Sequence, residues 1–273
     1  MYNLPMNKLQ NLKNYLSDLE SALIAFSGGV DSAFLLKVAK ETLGDNVVAV
    51  TAVSNLFPKR ELVEAKAFCR KEKIRHIVVK VDELKIPGFA DNTPDRCYIC
   101  KKELFKKIIQ KADPRQRHAG ITNVIEASNV DDSFDYRPGM KAIRELGVKS
   151  PLQIAGLTKL EIRKLSKKLK LKTYSKPSFA CLASRFPYGQ KITASALNKI
   201  DKAEQFLFDM GFKQVRVRCH ENLARIETDD KGFKILSVKA NREKIFKEFK
   251  KLGFVWTAVD ILGYRTGSLN EAL

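Results

Sequence analysis

The chain has 273 residues, of which 44% are hydrophobic, a composition typical of a globular protein with a sizeable core. Its 50 Lys and Arg residues outnumber 31 Asp and Glu residues, so the net charge is +19. A charge this large favours an anionic partner such as a nucleotide, a phosphorylated metabolite or RNA. No apolar run could span a membrane and no signal peptide is visible, so we expect a cytoplasmic protein.

Strands and helices are predicted to alternate in the first part of the chain. The predicted strands cover residues 21–26, 46–52, 74–81 and 122–127. The predicted helices cover residues 6–18, the stretches after residue 32 and after Pro58, residues 94–111, and the stretch after a capping box at Thr158 and Glu161. This alternation predicts an α/β fold with a doubly wound parallel sheet.

The pattern changes after an irregular, proline-rich stretch at residues 174–188. Behind it, an α-β-β-α-β order is predicted. These elements cover residues 194–210, 213–218, 223–228, 242–252 and 254–262. We therefore predict two domains, a nucleotide-binding domain over residues 1–185 and a smaller α+β domain for substrate or assembly over residues 186–273.

The motif SGGVDS occupies residues 27–32, between the first strand and its helix, and is called the glycine loop below. Its glycines let the backbone approach a ligand, and the helix N-terminus attracts an anion. Asp31 would orient the loop or help to hold Mg²⁺. An ordinary turn is the alternative. The motif resembles the loop of the PP-loop ATP pyrophosphatases, which split ATP into AMP and pyrophosphate while adenylating a substrate.

The ligand of a doubly wound sheet binds at the carboxyl ends of its strands. Polar residues follow the strand at residues 122–127, and Ala25 and Ala52 lie in two other predicted strands. The predicted ATP site comprises Ala25, Ser27, Gly28, Gly29, Asp31, Ser32, Ala52, Ser128, Asn129 and Asp131.

The chain has five cysteines, an odd number that argues against a disulfide framework. Cys97 and Cys100 are spaced i, i+3 in the first turns of a predicted helix, whose N-terminus stabilises thiolates. Cys181 lies in the basic, irregular stretch and is predicted to be a functional thiol, whereas Cys69 is predicted to be a core residue. Structural zinc, a redox dithiol and a three-cysteine [4Fe–4S] cluster remain open for these thiols.

Charged residues alternate along the two strands of the second domain. Arg216 and Arg218 share one face of the first strand, and a hairpin would bring them to Arg225 and Glu227 on the next. Glu204 lies on the apolar stripe of the preceding helix, where it needs an arginine or a metal as a partner. The alternative is an exposed sheet face with one interior ion pair.

Together these motifs resemble the LarE-type sulfur transferases, which complete the dithiolated pyridinium mononucleotide that becomes the nickel-pincer cofactor. The resemblance covers residues 27–32, 94–101, 126–132, 176–185, 216–218, 223–227 and 263–267. It implies that ATP and Mg²⁺ adenylate a substrate carboxylate and that sulfur then displaces AMP. The presence of all three cysteines favours sulfide on a [4Fe–4S] cluster held by Cys97, Cys100 and Cys181 as the sulfur source, and a sacrificed Cys181 is the alternative.

The resemblance also implies roles for individual residues. Catalytic roles fall to Cys181, Asp31 and Ser32, and a divalent metal to Glu204 and Glu227. The anionic substrate would meet Lys176, Ser184, Arg185, Arg216 and Arg218. We further expect a homo-oligomer, a separate sulfur donor, and no binding of membranes or nucleic acid.

Two other functions fit parts of the pattern. A tRNA 2-thiolation enzyme of the PP-loop class would use the same loop, the same thiols and the charge of +19. A non-catalytic ATP-binding regulator would bind ATP without releasing pyrophosphate.

Overall fold

The computed structural model describes residues 4–54, 56–111, 123–133, 138–177, 180–268 and 271. The chain divides into two compact units, residues 1–81 with 97–179 and residues 82–96 with 180–273. The boundary expected after residue 185 stays a prediction. Within the described part of the chain, no helix is long and apolar enough to cross a membrane.

A four-stranded parallel sheet forms the centre of the first unit. Its strands are β1 (Ala22–Ala25), β2 (Val47–Val53), β3 (Arg75–Lys80) and β4 (Val124–Ile125). They lie in the order β3-β2-β1-β4, and each neighbouring pair is parallel. β1 is central and its first three residues are buried, as expected for a strand covered on both faces.

Helices cover both faces of this sheet. They are α1 (Leu4–Leu19), α2 (Val30–Leu43), α3 (Lys59–Lys71), α4 (Arg96–Lys111), α5 (Gly139–Glu145), α6 (Pro151–Ile154) and α7 (Lys159–Lys168). Ile24 and Ala49 belong to a core that includes apolar side chains of α1, α2, α3 and α7. Leu23 and Val50 belong to a second core, with side chains of α4 and α5. The predicted doubly wound α/β fold is therefore confirmed.

The second unit contains a smaller, mixed sheet. Its strands are β5 (Val215–His220), β6 (Leu223–Thr228) and β7 (Trp256–Val259). β5 and β6 form an antiparallel hairpin, and β7 lies parallel to β6. The helices of this unit are α8 (Ala194–Asp209), α9 (Asp230–Ser237) and α10 (Lys239–Lys251). This part confirms the smaller C-terminal α+β region.

Two element boundaries differ from the prediction, each for a local reason. α4 begins at Arg96 rather than at Pro94, because residues 94–95 form a turn in which the Arg96 amide donates to the Thr93 carbonyl at 2.9 Å. α9 was not predicted, because Gly232 lies in its first turn and has poor helix propensity. The Asp229 side chain compensates by accepting from the Gly232 amide at 3.0 Å.

The predicted capping box at the start of α7 is confirmed. Thr158 Oγ1 accepts from the Glu161 amide at 3.3 Å, and Glu161 Oε2 accepts from the Thr158 amide at 2.9 Å. Glu161 also pairs with Lys8 of α1 at 2.9 Å, which connects the two helices. The start of α7 is therefore held by side chains whose positions the sequence pattern predicts.

The substitution Thr158→Val keeps the shape of the side chain and removes both hydrogen bonds of its hydroxyl group. We expect the free energy of unfolding to fall by about 1 kcal/mol, measured by urea denaturation. Leu160→Gln on the same helix is the control, because Leu160 is 63% exposed and its replacement should leave stability nearly unchanged. Equal stability of Thr158→Val and wild type would contradict a stabilising cap.

Candidate functional site

The glycine loop joins β1 to α2 in a conformation that depends on Gly28. Gly28 has a φ of +73°, a region that side chains rarely adopt. Gly29 is the N-cap of α2, so the positive end of that helix lies at the loop. The loop is therefore preformed for an anion, as its motif predicts.

The hydroxyl groups of Ser27 and Ser32 form hydrogen bonds within the glycine loop. Ser27 Oγ lies 3.1 Å from Ser32 Oγ, and the Ser32 hydroxyl donates to the Gly29 carbonyl at 3.2 Å. The Gly29 amide donates to Ser27 Oγ at 3.4 Å, a long bond that a stronger acceptor could replace. These contacts explain why both serines belong to the motif.

A cavity of about 400 Å³ opens beside the loop, within the range typical of small-molecule sites. It is lined by Ala25, Phe26, Ser27, Gly29, Asp31, Ser32, Val50, Ala52, Phe57, Lys101, Leu104, Phe105, Ile108, Glu126, Ala127, Ser128 and Asp132. Seven of the ten residues predicted for the ATP site are among them, and Gly28, Asn129 and Asp131 are not. The carboxyl ends of β1 and β2 therefore contribute to the cavity, as the sheet topology requires.

Asn129 and Asp131 shape the loop after β4. Asn129 Oδ1 accepts from the Asp131 amide at 2.9 Å, and Asp131 Oδ2 accepts from the Lys159 amide at 2.8 Å. The neighbouring carboxylate Asp132 lines the cavity instead. The sequence does not show which side chain of this short turn faces the cavity, so Asp131 was predicted in place of Asp132.

Asp31 pairs with Lys159, the first residue of α7, through Oδ2. Its other oxygen, Oδ1, is buried and has no hydrogen-bond partner among the described residues. Mg²⁺ in nucleotide sites commonly takes one or two carboxylates together with phosphate oxygens, so this open oxygen fits the predicted role. The sequence analysis missed Lys159, although its place directly after the Thr158 cap marks it as a helix N-terminal residue.

Lys101 of α4 lines the same cavity and was also not predicted as a ligand. Its stem passes over Gly139 of α5, where an added Cβ would lie 2.5 Å from Lys101 Cδ and 3.2 Å from the Cys97 carbonyl oxygen. Gly139 therefore leaves the space through which Lys101 reaches the cavity. A cation at this position complements the positive end of α2 for binding a polyphosphate.

Cys97 and Cys100 lie at the N-terminal end of α4 and are half-buried. Lys101 and Leu104, each four residues further along, line the cavity. Four residues are about 6 Å of helix, so the dithiol lies about one turn beyond the cavity lining. Cys69 and Cys219 are buried instead. Burial raises the pKa of the Cys69 thiol to about 12 and also raises the pKa of Cys219.

In the second unit, Arg185 holds the backbone around Cys181. Arg185 is completely buried, and its Nη1 donates to the Ala180 carbonyl at 2.8 Å and to the Cys181 carbonyl at 3.3 Å. Ser184 adds a hydroxyl donor to the Cys181 carbonyl at 2.8 Å. Arg185 and Ser184, predicted as substrate ligands, therefore lie where they shape the cysteine-bearing segment.

Two further arginines hold the same segment. Arg218 Nη1 donates to the Ser184 carbonyl at 2.6 Å, and Arg96 Nη1 donates to the Ala183 carbonyl at 3.0 Å. Arg96 also donates to Asn92 Oδ1, and it is 3% exposed. Arg96 was missed as an individual residue, although it directly precedes Cys97 in a motif that the sequence analysis singled out.

Glu204 has the arginine partner that its buried position predicted as one of two alternatives. Arg185 Nε and Nη2 donate to its two carboxylate oxygens at 2.8 and 3.0 Å, and the Val217 amide adds a bond at 3.0 Å. Both side chains of the pair are 0% exposed. Arginine and backbone donors thus occupy its oxygens, and the metal role expected for Glu204 stays a prediction.

The hairpin brings the predicted charged residues together. Arg216 pairs with Glu227, and Arg218 with Arg225, across β5 and β6. Glu227 accepts from Arg218 at 2.7 Å and from Arg225 at 3.0 Å. All but Arg225 are buried, so this face is not the exposed sheet face of the alternative interpretation.

Buried polar atoms without a partner remain on this face. Within the described residues, Arg218 Nε, Arg225 Nε and His220 Nε2 are buried without a hydrogen-bond partner. Arg216 packs its guanidinium 5.2 Å from the ring of Tyr264, and burial lowers its pKa to about 10. Such donors suit an anionic group, which is the predicted role of Arg216 and Arg218.

No group of three or more His, Cys, Asp or Glu side chains in the described ranges could hold a metal ion. Cys97 and Cys100 lie on α4 and Cys181 belongs to the second unit, and the cluster expected for these thiols stays a prediction. The divalent metal expected at Glu204 and Glu227 likewise stays a prediction.

Comparison with known proteins extends these observations to the whole chain. Residues 21–112 match the family profile described as queuosine biosynthesis protein QueC. An uncharacterized protein of Synechocystis sp. is 40% identical over 267 residues, 98% of either chain. The pyridinium-3,5-bisthiocarboxylic acid mononucleotide synthase of Lactiplantibacillus plantarum is 34% identical over 94% of this chain and 92% of its own. An uncharacterized protein of Methanocaldococcus jannaschii is 32% identical over 96% of this chain and 98% of its own.

Acid should weaken the buried pair of Arg185 and Glu204. Burial alone would raise the pKa of Glu204, but the charge and hydrogen bonds of Arg185 outweigh it and lower the pKa below its ordinary value of 4.5. A carboxylate with a lowered pKa in the folded state stabilises the protein above its unfolded-state pKa, and this stability is lost as pH falls through the folded-state value. We expect the free energy of unfolding to fall more steeply with acid in wild type than in the double variant Arg185→Met/Glu204→Leu.

Urea denaturation between about pH 6 and about pH 3 measures this difference. Glu103→Gln is the control, because Glu103 pairs with Lys106 on an exposed surface and should follow the wild-type profile. Parallel profiles of wild type and the double variant would show that Glu204 contributes no acid sensitivity.

Proposed function

We propose a reaction for this chain from one premise: it belongs to the LarE-type family of ATP-dependent sulfur transferases, within the PP-loop ATP pyrophosphatase superfamily. The relative from Lactiplantibacillus plantarum is named for a bisthiocarboxylic acid mononucleotide. We propose that this chain likewise converts a carboxylate of a pyridinium biscarboxylate mononucleotide into a thiocarboxylate for nickel-pincer cofactor synthesis. The observation that carries the proposal is the cavity beside the glycine loop, which α4 lines one turn from two thiols.

The first step is adenylation. A carboxylate oxygen of the substrate attacks the α-phosphorus of ATP, and pyrophosphate leaves. Ser27, Ser32, the Gly29 amide and Lys101 would bind the phosphates, supported by the N-terminus of α2. Asp31 Oδ1 would help to hold Mg²⁺, which neutralises charge on the phosphates when bound.

The second step transfers sulfur. The thiolate of Cys181 attacks the acyl carbon and AMP leaves with the bonding electron pair, so a thioester forms. Removal of the Cys181 Cα proton then breaks the Cβ–S bond, which leaves dehydroalanine in the protein and a thiocarboxylate on the substrate. Arg185 and Ser184 support this role by holding the Cys181 carbonyl.

A [4Fe–4S]-bound sulfide is the other source of sulfur that three thiols allow. We propose the Cys181 route, which is supported by the donors that Arg185 and Ser184 give to the Cys181 carbonyl. Cys97 and Cys100 then serve as a dithiol beside the nucleotide cavity. A separate sulfur donor, a homo-oligomer and the absence of nucleic-acid binding stay predictions.

Substrate recognition is proposed for Arg216 and Arg218. Their buried guanidinium groups and the unsatisfied Arg218 Nε suit the phosphate or the second carboxylate of the substrate. Arg185 and Ser184 instead act through the backbone of Cys181. Glu227 would orient the guanidinium of Arg218, to which it is bound.

Cys181→Ala should separate the two steps. We expect the variant to release pyrophosphate from ATP in the presence of the carboxylate substrate but to form no thiocarboxylate, because the nucleophile is absent. Cys69→Ala is the control, since the Cys69 thiol is buried with a pKa of about 12 and should not take part. Pyrophosphate and thiocarboxylate are measured in the same reaction.

Intact mass and iron content identify the sulfur source. An iron-free wild-type protein that loses the mass of hydrogen sulfide in one turnover supports the sacrificial route. Anaerobically purified protein that contains iron and keeps its mass would contradict it. Wild type that binds ATP but releases no pyrophosphate would contradict the enzyme itself and favour a regulator.

Gly139→Ala should weaken ATP binding without touching the cavity, because the added methyl group displaces Lys101. Lys101→Met should weaken ATP binding about tenfold, since one charged hydrogen bond is lost. The double variant should be no weaker than Lys101→Met, because both changes act on one side chain. Lys106→Met, on the exposed side of α4, is the control. Additive losses in a calorimetric titration with ATP would contradict this coupling.

A further inference from the structure

All three N–H donors of the Lys176 ammonium group have acceptors. Its Nζ donates to the Gly28 carbonyl at 3.2 Å, to Glu61 Oε2 at 2.7 Å and to Glu64 Oε2 at 2.6 Å. An ammonium group has three donors and no acceptor, so none is left for a bound substrate. The predicted substrate-binding role of Lys176 therefore has no donor to use in this arrangement.

The bond to Gly28 fixes a peptide that belongs to the glycine loop. The Gly28 carbonyl and the Gly29 amide form one planar unit, so holding the oxygen also fixes the direction of the N–H group. Gly29 lines the cavity, and its amide has only a 3.4 Å bond to Ser27 Oγ. Lys176 thereby presets a donor at the predicted phosphate position.

Lys176 also forms an ion pair with Glu61, so its contribution to this region is electrostatic as well. The Glu61 side chain is 8% exposed and the Lys176 side chain 15%. Burial alone would lower the pKa of Lys176, but hydrogen bonds to Glu61 and Glu64 outweigh it and raise the pKa, so the lysine stays charged. Without this cation, a nearly buried carboxylate would remain unpaired close to a site for a polyanion.

The backbone at Lys176 is itself held. Arg163 of α7 donates to the Tyr174 carbonyl at 2.6 Å and to the Lys176 carbonyl at 2.9 Å. The lysine therefore reaches the glycine loop from an anchored base, and its side chain spans to the start of α3 at Glu61 and Glu64. A cation whose backbone is anchored in this way restrains the glycine loop, and its own position does not depend on a ligand.

We infer that Lys176 is a positioning residue for the glycine loop: it holds the Gly28–Gly29 peptide so that the amide meets the phosphates, and it neutralises Glu61. The inference rests on the proposed function in that the anion is the triphosphate of ATP. It assigns Lys176 to nucleotide binding through the loop and not to the carboxylate substrate.

The test compares Lys176→Met, Lys176→Arg, Glu61→Gln and the double variant Lys176→Met/Glu61→Gln. Lys176→Met should weaken ATP binding about tenfold and leave KM for the carboxylate substrate unchanged. Lys176→Arg should recover most of the affinity. The double variant should bind ATP better than Lys176→Met, because the unpaired Glu61 charge is gone. Lys172→Met is the control, since Lys172 is exposed on the same segment.

Calorimetric titration with ATP, pyrophosphate release and urea denaturation are measured for each variant. A raised substrate KM with unchanged ATP affinity would overturn the inference, because Lys176 would then be a substrate ligand. So would a double variant no better than Lys176→Met, because neutralisation of Glu61 would then play no part in ATP binding. Wild type that binds ATP without releasing pyrophosphate contradicts the proposed reaction, and the ATP affinities still decide the role of Lys176.

Discussion

Carbonyl groups that have no partner within an α-helix or a sheet need other hydrogen-bond donors, and cationic side chains supply them at the glycine loop and around Cys181. Lys176 donates to the Gly28 carbonyl of the glycine loop. Arg96, Arg185 and Arg218 donate to carbonyls between Ala180 and Ser184. Lysine and arginine suit this task because they carry several donors and no acceptor that would itself need a partner. The irregular segments keep a defined shape for this reason.

Three of these cations pair with carboxylates. Glu204 pairs with Arg185, Glu227 with Arg218, and Glu61 with Lys176. Breaking a buried pair on one side costs about 3–5 kcal/mol, because the remaining charge stays buried and uncompensated. The pairs therefore hold the loops in place before any ligand arrives. Preorganised donors of this kind are those that stabilise developing charge most effectively.

This arrangement changes how the charge of +19 is understood. One part of the cations, such as Arg185, Arg218 and Lys176, holds backbone and carboxylates, and its charge is offset by these carboxylates. Another part faces the two places where anions are proposed to bind, Lys101 in the nucleotide cavity and the unsatisfied guanidinium nitrogens on β5 and β6. Net charge alone does not separate these uses, because a buried and an exposed cation count equally.

Sequence patterns predict the doubly wound sheet, the glycine loop and the capping box of α7, because each element is specified by residues close together in the chain, and the motifs taken together indicate the family. Seven of the ten residues predicted for the ATP site line the cavity, since strand ends in a parallel sheet meet at one edge. Only the tertiary structure decided the partners of long-range cations. Lys176 and Glu61 are 115 residues apart, and Lys159 and Asp31 are 128 apart. No local pattern records such pairs, so whether a basic residue binds a substrate or holds a loop depends on where the fold brings its partners.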